Sequence, residues 1–106
     1  MNLRQYILLN EQEENSKEIY DYIRKNYSTK EVKNMIIKKA LEGKIIPSNW
    51  ESEADSKEEW YREHGQNKAE DKVFDEIINK VALEKKVDLS KKKLDVMNWM
   101  YNVYVF

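Results

Sequence analysis

The sequence contains no cysteine, so no disulfide can staple it. Small secreted domains usually depend on such staples, which makes a reducing, cytoplasmic setting the expectation. Glycine occurs twice and proline once. Small sheet-rich domains use turn residues more freely, so helices are favoured before any periodicity is considered. Long apolar runs are missing as well. Stretches such as Tyr6-Ile7-Leu8-Leu9 are among the longest, whereas a membrane-spanning helix needs about 20 apolar residues. The opening Met1-Asn2-Leu3-Arg4-Gln5 lacks the basic-then-apolar layout of a signal peptide.

Charge of a single sign is also lacking. The net charge is −1, although 37% of the residues are charged. The charges fall in blocks: residues 1–23 and 51–76 are acidic, and residues 24–44 and 80–93 are basic. Alternating blocks argue against a one-signed surface such as a general nucleic-acid binder, and they permit two-signed contacts with a protein. Three tryptophans, seven tyrosines and two phenylalanines separate the chain from disordered compositions. Its 106 residues suit one folded domain, residues 1–106.

What is present reads as a mainly α, compact bundle of four to five short helices. Ser28-Thr29-Lys30-Glu31 and Ser56-Lys57-Glu58-Glu59 are capping boxes, in which Ser and Glu side chains satisfy orphan backbone N–H groups. The first predicts a helix from about Thr29 to Leu41, with Tyr27 and Val32 as a staple. Its apolar face is Val32, Met35, Ile36, Ile37, Ala40 and Leu41, and Gly43 is its left-handed stop. The second box predicts a short helix ending at Gly65, where His64 can meet the last carbonyls.

The clearest period is Val73, Phe74, Ile77, Ile78, Val81, Ala82, one face of an amphipathic helix. It is expected to pack on Ile36, Ala40 and Met97. Ser90 is placed to cap a last helix, stapled by Leu89 and Leu94, with the stripes Leu94-Met97-Tyr101 and Val96-Met100-Val103. An earlier helix runs from about Ser16 to Asn26 with Ile19, Tyr20 and Ile23 inward. Arg4 to Leu9 and Asn102 to Phe106 suit either a small two-stranded ribbon pairing the termini or a helix plus an ordered tail.

No catalytic, metal or cofactor-binding residue is assigned. One histidine without cysteine does not make a usual zinc site, and Tyr61 stands where a Glu-x-x-His ligand pair needs its Glu. Gly43 and Gly65 are too far apart for a phosphate loop. The carboxylates Glu51, Glu53, Asp55, Glu58, Glu59 and Glu63 have solvent-facing spacing, unlike a catalytic pair that needs an apolar pocket.

Two segments point to partners. Trp50, Trp60 and Tyr61 stand among acids, and large aromatics ringed by charge are the usual anatomy of a contact patch. Trp60 and Tyr61 point about 100° apart on a helix and cannot both face one narrow core seam, so at least one of the three rings is expected to be partly exposed. The predicted protein-binding set is Trp50, Glu53, Glu59, Trp60, Tyr61 and Glu63.

The second segment, Val81 to Ser90 followed by Lys91 to Tyr101, resembles the helix-turn-helix layout, with Lys86 where such motifs usually have glycine. That resemblance implies phosphate contacts by Lys85, Lys86, Lys91, Lys92 and Lys93. The expected function is a non-enzymatic protein-binding module. In general character the chain resembles the short, Lys/Glu/Asn-rich accessory proteins of phages and mobile elements, anti-CRISPR-like inhibitors among them. The alternative is a helix-turn-helix DNA-binding transcriptional regulator, and a third is a bacteriocin-immunity-like helical bundle.

Overall fold

The computed structural model describes the backbone of residues 3–89 and 92–104 and the side chains of residues 15–89 and 92–104. Five α-helices follow one another: α1 (Leu3–Asn26), α2 (Thr29–Glu42), α3 (Lys57–His64), α4 (Lys68–Lys85) and α5 (Lys93–Val103). A 3₁₀ turn at Trp50–Ser52 interrupts the loop between α2 and α3. The described residues contain no strand, so the terminal ribbon does not form. Arg4 to Leu9 lie inside α1, and the helix expected to begin near Ser16 already runs from Leu3 in the described residues. No glycine or proline occurs before Gly43, so nothing in the sequence breaks that helix. Asn102 and Val103 complete α5, while Val105 and Phe106 lie outside the described residues. None of the described helices is long and apolar enough to cross a membrane.

Helix α4 is the centre of the packing and touches α1, α2 and α5. Its predicted stripe is buried: Val73, Phe74, Ile77, Ile78 and Val81 are covered almost completely. Ile36 and Ala40 of α2 are equally covered, and Met97 of α5 is half-buried. The Phe74 ring meets Tyr101 edge-on at 4.8 Å and lies 6.2 Å from the Tyr104 ring. Tyr104 then donates its hydroxyl to the Tyr27 carbonyl at 2.7 Å, which ties the end of α5 to the turn between α1 and α2. On the outer side of α2 and α4, Lys39 and Glu76 pair at 2.7 Å across a solvated edge.

Both capping boxes close at their serines. Ser28 Oγ accepts from the Glu31 N–H, and Ser56 Oγ from the Glu59 N–H, each at 3.1 Å. The helix stops differ from expectation. Gly43 has φ −82°, and the left-handed residue is Lys44 at φ 56°. Gly43 is the C-cap of α2 and the left-handed turn falls one residue later, so the Ile45 N–H reaches Ala40 O and the Lys44 N–H reaches Leu41 O in the Schellman pattern. The end of α4 repeats this at Lys86, with φ 57° and the Val87 N–H on Ala82 O at 2.9 Å.

Two leucines also depart from expectation. Leu41 is at the surface because it sits one residue past the stripe of Val32, Ile36, Ile37 and Ala40. Leu94 is 70% exposed. It belongs to the first turn of α5, where the Cα–Cβ bond tilts toward the free helix end, away from the next turn. Ser90, the expected cap, lies outside the described residues; the backbone places Lys92 at that position, without a side-chain cap.

Phe74→Ala is expected to destabilise the protein by roughly 3–5 kcal/mol, the range for a buried aromatic, read from urea midpoints. An unchanged midpoint would contradict the central position of α4. Lys86→Gly is expected to act in the opposite sense. Relieving a left-handed side chain is expected to add about 0.5–1 kcal/mol once the extra chain entropy of glycine is subtracted. A loss of stability in the same assay would show that the Lys86 side chain holds something in place.

Candidate functional site

The acidic, tryptophan-bearing segment folds back on itself. Trp60 is 8% exposed and Tyr61 2% exposed, so neither ring can form the centre of a surface patch. The angle between them is real, but two different bodies receive them. The Trp60 indole N–H donates to Glu53 Oε2 at 3.0 Å, across the loop that carries the 3₁₀ turn. Its ring lies 5.0 Å from the exposed His64 ring. Tyr61 turns to the start of α4, where its hydroxyl accepts from the Ala69 N–H at 3.0 Å. Trp50 is the half-exposed ring of the three, and it still packs against the core. Glu59 is half-buried and accepts from the Asp55 N–H at 3.2 Å. Glu63 is exposed beside His64. Glu53 and Glu59 therefore hold the local fold together, and Glu63 faces solvent.

The lysines expected to reach phosphates are placed unequally. Lys85 stands over the Tyr22 ring at 4.5 Å, Lys92 pairs with Asp95 at 3.6 Å, and Lys93 pairs with Asp75. Lys86 is exposed, and Lys91 lies outside the described residues. Helix α4 ends at Lys85 and α5 begins at Lys93. That connection is longer than the turn of about 3–4 residues in a helix-turn-helix.

Two features that sequence reasoning missed are brought together instead. The first is a groove of about 340 Å³ between α1 and α5, lined by Lys17, Tyr20, Asp21, Trp99, Asn102 and Val103. Tyr20 and Trp99 meet edge-on at 5.4 Å, and both are half-exposed. Trp99 passes on the sequence for one more residue of an apolar helix. Only the turn of α5, which gives Val96 and Met100 to the core, carries Trp99 outward.

The second is a cleft of about 430 Å³ among α3, α4 and α5, lined by Tyr61, Arg62, Glu63, Gln66, Asn67, Glu70, Tyr101 and Tyr104. Gly65 shapes it: a Cβ there would stand 2.4 Å from the Tyr61 ring, so only glycine lets that ring fold over the turn. Gln66 and Asn67 complete the turn with left-handed φ of 53° and 58°. Glu70 is 3% exposed, and neither of its carboxylate oxygens closes a hydrogen bond of ordinary geometry.

Burial pushes the Glu70 carboxyl above its ordinary value; the nearby Tyr61 hydroxyl and the residue's own N–H oppose this, and the Asp71 charge adds to it. The same burial raises the phenols of Tyr61 and Tyr101, which stay neutral. Tyr101 donates to Asp71. A signal for Glu70 does exist in the sequence. It continues the Phe74, Ile77, Val81 stripe one turn upstream, as a carboxylate on an apolar face. Among the described residues, no group of three or more His, Cys, Asp or Glu side chains is placed to hold a metal ion.

Compared with known proteins, the chain matches no family model, no curated protein and no solved structure.

A carboxyl held above its ordinary value binds its proton more tightly in the folded chain than in the unfolded one. Its contribution to stability is therefore complete in acid and is lost as pH rises through the folded value. Glu70→Gln is expected to be more stable than the native protein at neutral pH, by about 1 kcal/mol, the scale of a poorly satisfied buried polar group. The difference is expected to shrink as the pH falls toward 4, about the ordinary carboxyl range. Melting curves across that interval check it, and a gap that widens in acid would reverse the assignment.

Proposed function

We propose that this protein is a non-enzymatic protein-binding module that inhibits or regulates its target, and that it binds through the groove between α1 and α5. The observation that carries the proposal is the Tyr20–Trp99 pair. Two large aromatic rings stand half-exposed in a concavity, with Lys17, Asp21 and Asn102 at its rim. An aromatic centre within a polar, two-signed rim is how protein contact surfaces concentrate their binding energy. The pairing of lysines within the chain supports the same preference. Lys85, Lys92 and Lys93 are engaged with Tyr22, Asp95 and Asp75, which leaves less free positive charge for phosphates. Action on a host or defence protein, in the manner of inhibitors carried by mobile elements, is the form of this function that the composition fits.

The test is affinity capture from native-host extract, then binding of the purified candidate to the native protein and to Trp99→Ala. The variant is expected to lose about 2 kcal/mol or more of binding energy, the scale of an interface hot spot. Its melting temperature, measured in parallel, reports any loss of packing against Tyr20. Undiminished binding by a folded Trp99→Ala protein would move the site elsewhere. A sequence-preferring shift of duplex DNA that weakens steeply with salt would replace this function with the DNA-binding one.

A further inference from the structure

The cleft among α3, α4 and α5 holds a buried carboxyl group without a cationic partner among the described residues. Glu70 is 3% exposed, no hydrogen bond of ordinary geometry closes on either carboxylate oxygen, and no cation among those residues pairs with it. Of the polar groups around it, the Tyr61 hydroxyl is near enough to favour the charged form, and the other two phenols are engaged elsewhere. Tyr61 accepts from the Ala69 N–H, Tyr101 donates to Asp71, and Tyr104 donates to the Tyr27 carbonyl. Buried carboxylates are ordinarily paired with a cation or a set of donors, because burial alone opposes their charge. Arg62 on α3 lines the same cleft but is exposed and forms no ion pair with Glu70.

The walls define what would satisfy it. At about 430 Å³ the cleft is the size of a small-ligand pocket. Three of its lining side chains are tyrosines, and aromatic ring faces attract positive charge. Glu63 at the rim and Asp71 beside Glu70 add negative potential. A carboxylate among aromatic walls favours an organic cation, which gains a charge-assisted hydrogen bond at one end and apolar contact along its stem. We infer that this cleft is a binding site for an alkylammonium or guanidinium group, with Glu70 as its counter-ion and Tyr61 and Tyr101 as its walls. The inference rests on the cleft alone and is independent of the groove between α1 and α5. The cation can come from a free amine or from a lysine or arginine side chain of another protein.

Calorimetric titration of the full chain with butylammonium and butylguanidinium chlorides, with butanol as the neutral control, tests this directly. At least one cation is expected to bind saturably, butanol is not, and Glu70→Gln is expected to weaken binding by about tenfold or more. A melting curve establishes that the variant is folded. In the native protein the bound cation is also expected to perturb the side-chain NMR resonances of Glu70 and Tyr101, a readout that needs no variant. Acetylated and amidated Gly-Lys-Gly and Gly-Arg-Gly separate the two sources. Binding as tight as that of the simple cation assigns the site to a protein side chain, and exclusion assigns it to a free amine. Absence of saturable binding by either cation, equal affinity in folded Glu70→Gln, or NMR perturbations confined to other residues would overturn the inference and leave Glu70 as a protonated structural acid.

Discussion

The fold depends on one aromatic contact more than on any other. Phe74, near the middle of α4, is fully covered, with Tyr101 in an edge-to-face contact and the Tyr104 ring further away. These three rings join α4 to α5, and the Tyr104 hydroxyl carries the connection on to the turn between α1 and α2. Edge-to-face pairs add about 0.5–1.5 kcal/mol beyond the area they bury. Their larger effect here is positional. Because α5 is held by Phe74 on one face, Tyr101 and Tyr104 line the Glu70 cleft while Trp99, about 200° away from Tyr101 around the helix, lines the groove with Tyr20.

Much of this architecture was legible in the sequence, and the failures have physical causes. The α4 stripe and both capping boxes came through because they are local patterns, decided by residues three and four apart. The helix stops at Gly43 and Lys86 did not follow composition, because the left-handed position depends on where the last turn closes and not on which residue tolerates it best. Lys44 and Lys86 carry that conformation in place of glycine. The burial of Trp60 and Tyr61 was illegible for a different reason. Their cover comes from Glu53 across the loop and from Ala69 after the next turn, through folding of the chain that no helical period encodes. Trp99 was hidden by the opposite problem: on a helix apolar on several sides, periodicity cannot say which side meets solvent.

Part of the chain's heavy charge works within the fold. Acids that read as a solvated rim serve as acceptors for an indole and a loop N–H, at Glu53 and Glu59. Lysines that read as a phosphate-seeking block lie on carboxylates and on an aromatic ring. Exposed pairs of this kind contribute little stability one by one, about 0–1 kcal/mol each. They do place some charges of one block against opposite charges of another, as Lys39 with Glu76 and Lys93 with Asp75. What stands out after this pairing is a carboxylate buried among tyrosines and an indole left half-exposed.

The hydrogen bond from Tyr104 to Tyr27 spans 77 positions of the chain. Contacts of such separation form only after the intervening segment has been ordered, because closing a long loop must precede any gain from it. During synthesis, α1 and α4 therefore emerge with apolar faces that lack their cover until α5 has been made. A nascent chain in that condition exposes sticky surface and is a natural client for chaperones. The tyrosine that ties α5 to the turn between α1 and α2 thus becomes available only after α1 to α4 have been made.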